Sequence, residues 1–142
     1  MKSKVEHMNI TVGNIDATVD FLKTAMPDFE VRGEGDSENN NLPYHWVHIG
    51  TPETYIALQG HTGSNNAVAE RYSDVGGNHI GFVVDDLDVV IERLNKKGFI
   101  PTQDNQDHPH RRRIYVETKD GLEWEFIEYK GDSLEENNDY SL

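Results

Sequence analysis

The chain has 142 residues, the length of one ordinary domain, and 35% of them are hydrophobic, so it is long enough to bury a core. Its formal net charge of −13 repels nucleic-acid phosphates and anionic membrane surfaces, which argues against both as partners. It has no cysteine, no apolar run long enough to span a membrane and no apolar signal segment, so we expect neither disulfides nor a membrane anchor, and a cytoplasmic location.

The first half of the sequence predicts a strand, a helix and three more strands. Apolar and polar residues alternate over residues 4–12, which predicts a strand with His7 on its more polar face. Asn14 or Asp16 can cap the following helix, which ends before Pro27. A short strand at 29–33, a polar loop at 34–43 and a hairpin of strands at 44–50 and 54–59 are predicted next.

The second half repeats this order after a polar linker at residues 61–76. Residues 77–94 predict a strand that carries His79 and a helix that Asp86 caps and Gly98 closes. A strand at 99–102, a polar loop at 104–110, and two strands at 111–118 and 122–129 follow, and the acidic tail from residue 130 is predicted to fray.

The two halves match at a fixed offset, which indicates a duplicated module. His7 and His79 are 72 residues apart (79 minus 7), while Ala57 and Glu125 in the closing hairpins are 68 apart (125 minus 57). The element order is therefore βαβββ twice, an α+β fold. We predict one domain, residues 1–130, made of modules at about 4–60 and 77–130, with a flexible tail at 131–142. Two such sheets can curl toward each other and share a cleft.

Three side chains at corresponding or facing positions are candidate metal ligands. His7 and His79 occupy equivalent strands, and Glu125 lies in the final strand. Two neutral imidazoles and one carboxylate form a set that binds a divalent metal and leaves coordination positions open for a substrate. A histidine on a strand is also common as a surface or hydrogen-bonded interior residue. The internal symmetry is what favours the metal, because it would bring His7 and His79 together.

Other polar and aromatic residues are candidates for contacts with a substrate. His45 and His48 lie on opposite faces of one strand, so at most one lines the cleft, where it could act as a general acid or base. Arg111 and Arg113 share a face and could bind an anionic substrate group, or could instead pair with nearby carboxylates. Four aromatic residues are candidate pocket walls: Tyr44, Trp46, Tyr55 and Tyr115.

The order and duplication of three segments give the chain a resemblance to a known family. The segments are EHMNITV at residues 6–12, NHIGFVVDDLD at 78–88 and KDGLEWEFIEY at 119–129. Together they resemble the vicinal oxygen chelate superfamily, which includes glyoxalase I, extradiol dioxygenases, bleomycin- and fosfomycin-resistance proteins and methylmalonyl-CoA epimerase. The resemblance implies a glyoxalase-like fold, with two βαβββ modules that form a cup-shaped mixed sheet around a metal. It also implies a homodimer and a small-molecule substrate.

In the family, metal ligands come from the first and last strands of each module. Carried over by position, these are His7, His79 and Glu125, with a fourth in the strand at 54–59. Here the sequence departs from the four-ligand glyoxalase pattern, because Ala57 stands opposite Glu125 and alanine cannot ligate. Gln59 could be a fourth ligand only with a change of register. The remaining three-ligand set looks like that of extradiol dioxygenases and fosfomycin-modifying enzymes.

The resemblance and the ligand set lead to three functional hypotheses of different classes. The first is a metal-dependent lyase, isomerase, dioxygenase or thiol transferase, in which Fe, Mn, Ni or Zn chelates a small oxygenated substrate. The second is a metal-free protein of the bleomycin-resistance type, which binds a small ligand in the same cleft. The third is a stress or regulatory module without a catalytic role, for which no residue pattern argues.

Overall fold

The computed structural model describes residues 2–63 and 69–142 of the chain. In this part of the chain the elements are β1 (His7–Val12), α1 (Ile15–Ala25), β2 (Glu30–Asn39), β3 (Leu42–Gly50), β4 (Tyr55–Gly60), β5 (His79–Val84), α2 (Leu87–Lys96), β6 (Gln103–His108), β7 (Arg111–Glu117), β8 (Glu123–Tyr129) and α3 (Leu134–Asn137). No helix within the described ranges is long and apolar enough to cross a membrane.

The chain divides into an N-terminal unit, Met1–Ala67, and a C-terminal unit, Val68–Leu142. Each unit contains one mixed sheet, with strand orders β1-β4-β3-β2 and β5-β8-β7-β6. In both sheets the first strand of the module pairs in parallel with the last, and the remaining pairs are antiparallel. The predicted α+β class and the duplicated βαβββ order are therefore confirmed.

Both main helices begin at a side chain that caps the first turn. The Asn14 side chain accepts a hydrogen bond from the Ala17 amide at 2.9 Å, so Asn14 rather than Asp16 caps α1. The Asp86 side chain likewise accepts from the Val89 amide at 3.1 Å and caps α2, as predicted. Each cap satisfies an amide that has no partner within the helix.

The apolar face of each sheet packs under its helix and forms the core. The buried strand residues alternate with more polar ones, and they are Val47, Ile49, Ile56 and Leu58 in the N-terminal unit and Ile114, Val116, Trp124 and Phe126 in the C-terminal unit. Because side chains alternate along a strand, the histidines of β1 and β5 lie on the opposite face of each sheet. We call these surfaces the His7 face (His7, Tyr55, His48, Trp46) and the His79 face (His79, Glu123, Glu125, Tyr115, Arg113).

The polar loop predicted at residues 34–43 is wrong, because β2 continues to Asn39. The strand turns through Asn40 and Asn41, which have φ values of 50° and 62°, the left-handed conformations that a two-residue hairpin turn requires and asparagine tolerates. Polar residues of β2 pair along β3, as in the match of Asp36 with His45. Pairing with a neighbouring strand overrides the weak strand propensity of this segment.

The strand predicted at 99–102 and the loop predicted at 104–110 are also wrong. The strand in this region is β6, Gln103–His108, and it pairs with β7 through an irregularity between Asn105 and His108. Its side chains are mostly polar because β6 is the edge strand of its sheet. An edge strand needs few apolar residues. The prediction followed the apolar residues at 99–102 and therefore put the strand before its actual position.

The segment predicted as a frayed tail contains the short helix α3, Leu134–Asn137. Ser133 and Glu136 form a reciprocal capping box at its first turn. Asn137 is only 4% exposed, and its side-chain oxygen accepts from the Gly131 amide at 2.8 Å. The flexibility of the tail as a whole stays a prediction.

Candidate functional site

The strand register establishes which residues of the two units correspond. In the N-terminal unit Asn9 pairs with Ala57, and in the C-terminal unit Gly81 pairs with Glu125. Since Asn9 and Gly81 are themselves 72 residues apart, Ala57 occupies the position that Glu125 has in the other module. Gln59 lies two residues beyond Ala57 and pairs with Thr11, and the β1–β4 ladder keeps its register between these two positions. Its role as a fourth ligand stays a prediction.

His79 and Glu125 face each other across neighbouring parallel strands. Nε2 of His79 lies 3.0 Å from Oε2 of Glu125, and Glu125 is only 7% exposed. The other carboxylate oxygen, Oε1, accepts a hydrogen bond from the hydroxyl of Tyr115 at 3.0 Å. Tyr115 therefore fixes the carboxylate with one oxygen turned toward the imidazole.

Gly81 leaves the space that the Glu125 carboxylate occupies. A Cβ atom added at Gly81 would lie 3.3 Å from Oε2 of Glu125 and 3.4 Å from Cδ1 of Ile127. A side chain at position 81 would thus press on the oxygen that faces His79. The absence of a side chain at Gly81 therefore leaves room for the Glu125 carboxylate beside His79.

Two residues that the sequence did not single out complete the surroundings of His79. The hydroxyl of Tyr72 donates to Oε1 of Glu123 and lies 3.0 Å from Nδ1 of His79. Glu123 precedes Glu125 by two residues and so shares its face, a spacing that could have identified it. Tyr72 lies in the predicted linker, where no periodic pattern marks it.

The two tyrosines of the His79 face have raised pKa values. The hydrogen bond that Tyr72 gives to Glu123 raises the pKa of the Tyr72 hydroxyl to about 12. Burial, followed by the hydrogen bond to Glu125, raises the pKa of the Tyr115 hydroxyl. Both phenols therefore stay protonated near neutral pH and act as donors to the two carboxylates.

The His7 face carries a row of rings. The His7 ring stacks on the Tyr55 ring with centroids 4.8 Å apart, and Cζ of Arg32 lies 4.4 Å from the centre of that same tyrosine ring. The His48 ring contacts both Tyr55 and Trp46, at 4.8 Å in each case. Trp46 and Tyr55, two of the predicted pocket walls, thus lie on the His7 face, and Tyr55 stacks on His7 itself, while Tyr115 lies beside Glu125.

The structure separates the two histidines of β3. His48 lies on the His7 face, whereas His45 lies on the other face and its Nδ1 is 2.9 Å from Oδ1 of Asp36. This hydrogen bond to Asp36 is the main cause that raises the pKa of the His45 imidazole. Of the two, His48 is the one placed for a role as acid or base, and that role stays a prediction.

The three consecutive arginines of β7 divide between the faces as alternation requires. Arg112 points toward α2, where it bonds Asp88 and Asp104 at 2.7 Å each. Arg111 and Arg113 lie on the His79 face, with Arg113 bonded to Asp107 at 2.7 Å. The Nε atoms of Arg111 and Arg113 are buried and have no hydrogen-bond partner among the described residues. Their role in substrate binding stays a prediction.

The pair formed by His79 and Glu125 fits one side of a metal site. Nε2 of His79 and Oε2 of Glu125 lie 3.0 Å apart, close enough for both to bind one ion at the usual ligand distances of about 2.0–2.2 Å. Within residues 2–63 and 69–142 no group of three His, Cys, Asp or Glu side chains could hold a metal ion. The triad of His7, His79 and Glu125 stays a prediction.

Comparisons with known proteins agree with this architecture. The sequence model of the Glyoxalase/Bleomycin resistance protein/Dioxygenase superfamily matches residues 4–126. No curated protein sequence matches the chain. A glyoxalase family protein from Bacillus cereus has a similar solved structure, with 18% identity, a TM-score of 0.73, and coverage of 92% of this chain and 97% of that one.

Two fosfomycin resistance proteins are also similar in structure. FosX from Mesorhizobium loti has 22% identity and a TM-score of 0.67, with 96% of this chain and 97% of that chain covered. FosX from Listeria monocytogenes, solved with Mn(II) and a sulfate ion, has 20% identity and a TM-score of 0.67, with 96% and 98% covered. At these identities the likeness shows the fold.

Proposed function

Because the chain belongs to the Glyoxalase/Bleomycin resistance protein/Dioxygenase superfamily, we propose that it is a metalloenzyme acting on a small oxygenated substrate. The proposed ligands are His7, His79 and Glu125. The observation that carries the proposal is the 3.0 Å approach of Nε2 of His79 to Oε2 of Glu125. An imidazole nitrogen without hydrogen and a carboxylate oxygen repel each other unless a proton or a metal ion lies between them. Because Glu125 is nearly buried, its negative charge would be costly without such a positive partner.

A divalent metal at these residues would polarise two adjacent oxygen atoms of a chelated substrate and stabilise the negative charge that develops on them. A set of two nitrogen ligands and one oxygen ligand is compatible with each of Fe, Mn, Ni and Zn. The Mn(II) bound by FosX from Listeria monocytogenes supports manganese as the first ion to test.

Residues of the His79 face would support the binding of a metal and a substrate. Tyr115 holds one carboxylate oxygen of Glu125, and the other oxygen faces His79. Arg111 and Arg113 each keep a buried Nε without a partner among the described residues. An anionic group on the substrate would satisfy such donors, because charge-assisted bonds to guanidinium are among the stronger hydrogen bonds.

The reaction classes we propose are those compatible with three protein ligands. Ala57 stands where a fourth ligand, a second carboxylate, would be, so the set resembles that of dioxygenases and fosfomycin-modifying enzymes more than that of glyoxalase I. We therefore propose that the site supports a lyase, isomerase, dioxygenase or thiol transferase activity. We also propose that the protein is cytoplasmic and, on the family resemblance, that it forms a homodimer.

The alternative is a metal-free protein that binds a small ligand, as bleomycin-resistance proteins do. The row of rings on the His7 face favours it, since Trp46, His48 and Tyr55 offer stacking surfaces that need no metal. The two functions differ in whether the protein needs a bound metal ion.

Metal analysis of protein purified without chelator tests the proposal. We expect about one transition-metal ion per chain, and removal of the ion with a chelator should lower the thermal midpoint, because a bound metal stabilises the folded state. A chain without metal, whose thermal midpoint is unchanged by added Mn, Fe, Ni or Zn, would leave the metal-free alternative.

A further inference from the structure

The ladder between β2 and β3 is interrupted at Arg32. It pairs Val31 and Gly33 with residues of β3 but leaves Arg32 between them without a partner. An extra residue of this kind forms a bulge, which bends the strand and redirects a side chain. Here the Arg32 guanidinium lies over the Tyr55 ring, with Cζ 4.4 Å from the ring centre. The bulge therefore places a positive charge on the His7 face.

The charge of Arg32 is not neutralised by the carboxylates that lie nearest in sequence. Glu30 bonds Lys23 at 3.1 Å, and Oε2 of Glu34 lies 3.8 Å from Nε2 of His45. Within the part of the chain that the structure describes, Arg32 makes no ion pair and no hydrogen bond. The chain has 26 acidic residues against 13 lysines and arginines, so acidic partners are not scarce. The exposed guanidinium is therefore available to an acceptor from outside the chain.

Two more hydrogen-bond donors of the His7 face are in the same situation. Among the described residues, the Tyr55 hydroxyl and Nε1 of Trp46 have no hydrogen-bond partner, and neither is one of the buried atoms that lack a partner. Both donors are therefore open to solvent. The tyrosine hydroxyls of the His79 face differ, because both donate to carboxylates of that face. Since guanidinium and indole groups donate but do not accept, the His7 face is rich in donors that the protein leaves unused.

We propose that the His7 face binds an oxyanion of the substrate, a carboxylate or a phosphate-type group, through Arg32 and the Tyr55 hydroxyl. Charge-assisted bonds to guanidinium are among the stronger hydrogen bonds. The next rings of the row, up to Trp46, would contact the planar part of the same molecule. This site is separate from the one proposed for Arg111 and Arg113, which lie in the C-terminal unit.

Only one part of this inference rests on the proposed function, namely that the oxyanion belongs to the substrate of a metalloenzyme. The binding of the oxyanion does not rest on it, because Arg32 and Tyr55 need no metal ion to donate hydrogen bonds. The same site would therefore also serve a metal-free protein that binds a small ligand.

A purely structural role for Arg32 would have a different consequence. The cation–π contact with Tyr55 stabilises a fold by itself. If that were its whole role, Arg32→Gln would lower stability slightly and leave the affinity for anions unchanged. If Arg32 binds the oxyanion, the same substitution weakens anion binding by the folded protein.

The test is a titration of metal-free, ¹⁵N-labelled protein with benzoate, followed by NMR of the indole N–H groups. The chain has two tryptophans. Trp124 is buried and its Nε1–H donates to Thr118, so its signal is an internal control. We expect a saturable shift of the Trp46 signal and none of the Trp124 signal. Benzamide, which has nearly the same shape without the charge, should bind clearly more weakly. Phenylphosphonate is the tetrahedral counterpart, and the tighter of the two anions identifies the kind of oxyanion preferred.

Substitutions then locate the anion. Arg32→Gln should weaken benzoate binding roughly tenfold, the usual effect of losing a hydrogen bond to a charged group. Tyr55→Phe keeps the ring, removes the hydroxyl and should weaken binding by less. Arg93→Gln, at an exposed arginine of α2, makes the same change in net charge and is the matched control, which should bind benzoate as the wild type does.

Unchanged benzoate affinity in folded Arg32→Gln would overturn the inference, as would a loss that appears in Arg113→Gln instead. A wild-type Trp46 signal that neither benzoate nor phenylphosphonate shifts would overturn it as well. If the oxyanion binds through Arg32 but the protein binds no metal, the metalloenzyme proposal fails and the oxyanion site stands. If the protein binds metal but neither anion, the oxyanion site fails and the metalloenzyme proposal stands.

Discussion

Replacing either His79 or Glu125 with alanine is expected to abolish the rise in thermal midpoint that a divalent metal gives to the wild-type protein. Each substitution removes one of the three proposed ligands and one of the two ligand atoms that lie 3.0 Å apart, so the variant should bind too weakly for the metal concentration that saturates the wild type to stabilise it. Metal at about 100 times its dissociation constant stabilises a protein by roughly 2.7 kcal/mol. For a chain of this size that is a rise of roughly 5–10 °C, measured as the difference between scans with and without Mn(II).

Exposed residues of the same types serve as controls for this experiment. His61→Ala and Glu53→Ala remove an imidazole and a carboxylate that are exposed, so the metal-induced rise should remain. Comparing each variant with and without metal separates the loss of binding from any change in baseline stability. A full rise in Glu125→Ala would show that the assignment of the ligand is wrong.

Truncating Trp124 to alanine should destabilise the folded protein by about 3–5 kcal/mol, the usual cost of removing a large aromatic side chain from a core. Trp124 is 1% exposed and its ring stacks near that of Phe82, with centroids 6.2 Å apart. Its Nε1 also donates to Oγ1 of Thr118 at 3.1 Å, a bond that alanine cannot make. The thermal midpoint should fall by roughly 6–20 °C.

The second tryptophan of the chain provides the matched comparison. Trp46 lies on the His7 face, half-buried over Gly35, where its ring would be 2.8 Å from a Cβ atom. Trp46→Ala therefore removes packing from one side only and should cost clearly less stability than Trp124→Ala. Equal losses in chemical denaturation would contradict the assignment of one tryptophan to the core and the other to the opposite face.

The duplicated architecture could be predicted from the sequence because the repeated residues act locally, as helix caps and as buried residues of strands. Asp86 caps its helix as expected, and Trp124 and Phe126 form the core under it. These features depend on alternation and capping, which act over a few residues. The equivalence of Ala57 and Glu125 could also be predicted, from the 68-residue offset between the closing hairpins, because β4 and β8 pair with β1 and β5 in the same register.

The edge strands could not be predicted in the same way. β2 extends through the segment EGDSEN, and β6 consists of QDNQDH. Neither segment has the apolar alternation of a strand, and both are strands because a neighbouring strand pairs with them. Pairing is a property of the whole sheet, so a local pattern of polar residues predicted loops instead.

The surroundings of the candidate ligands were only partly predictable. His79 was selected as a candidate from its symmetry with His7, and Glu125 from its place in the final strand and the family resemblance. Glu123 could have been found from its spacing to Glu125. Tyr72 could not, because it reaches His79 through a left-handed backbone conformation that no sequence periodicity encodes. Contacts of this kind depend on how a turn is tied down, here by Asn78 and Arg71.

Pulsed electron paramagnetic resonance of the Mn(II)-loaded protein tests the central claim most directly, because it counts the histidine nitrogens bound to the ion. The proposed ligand set predicts two coordinated imidazoles in the wild type. It predicts one in His7→Ala and one in His79→Ala, when these variants, which bind the ion more weakly, are loaded at a higher Mn(II) concentration than the wild type needs. An ion that keeps both nitrogen couplings in His7→Ala, or one that shows no histidine coupling in the wild type, would contradict the claim.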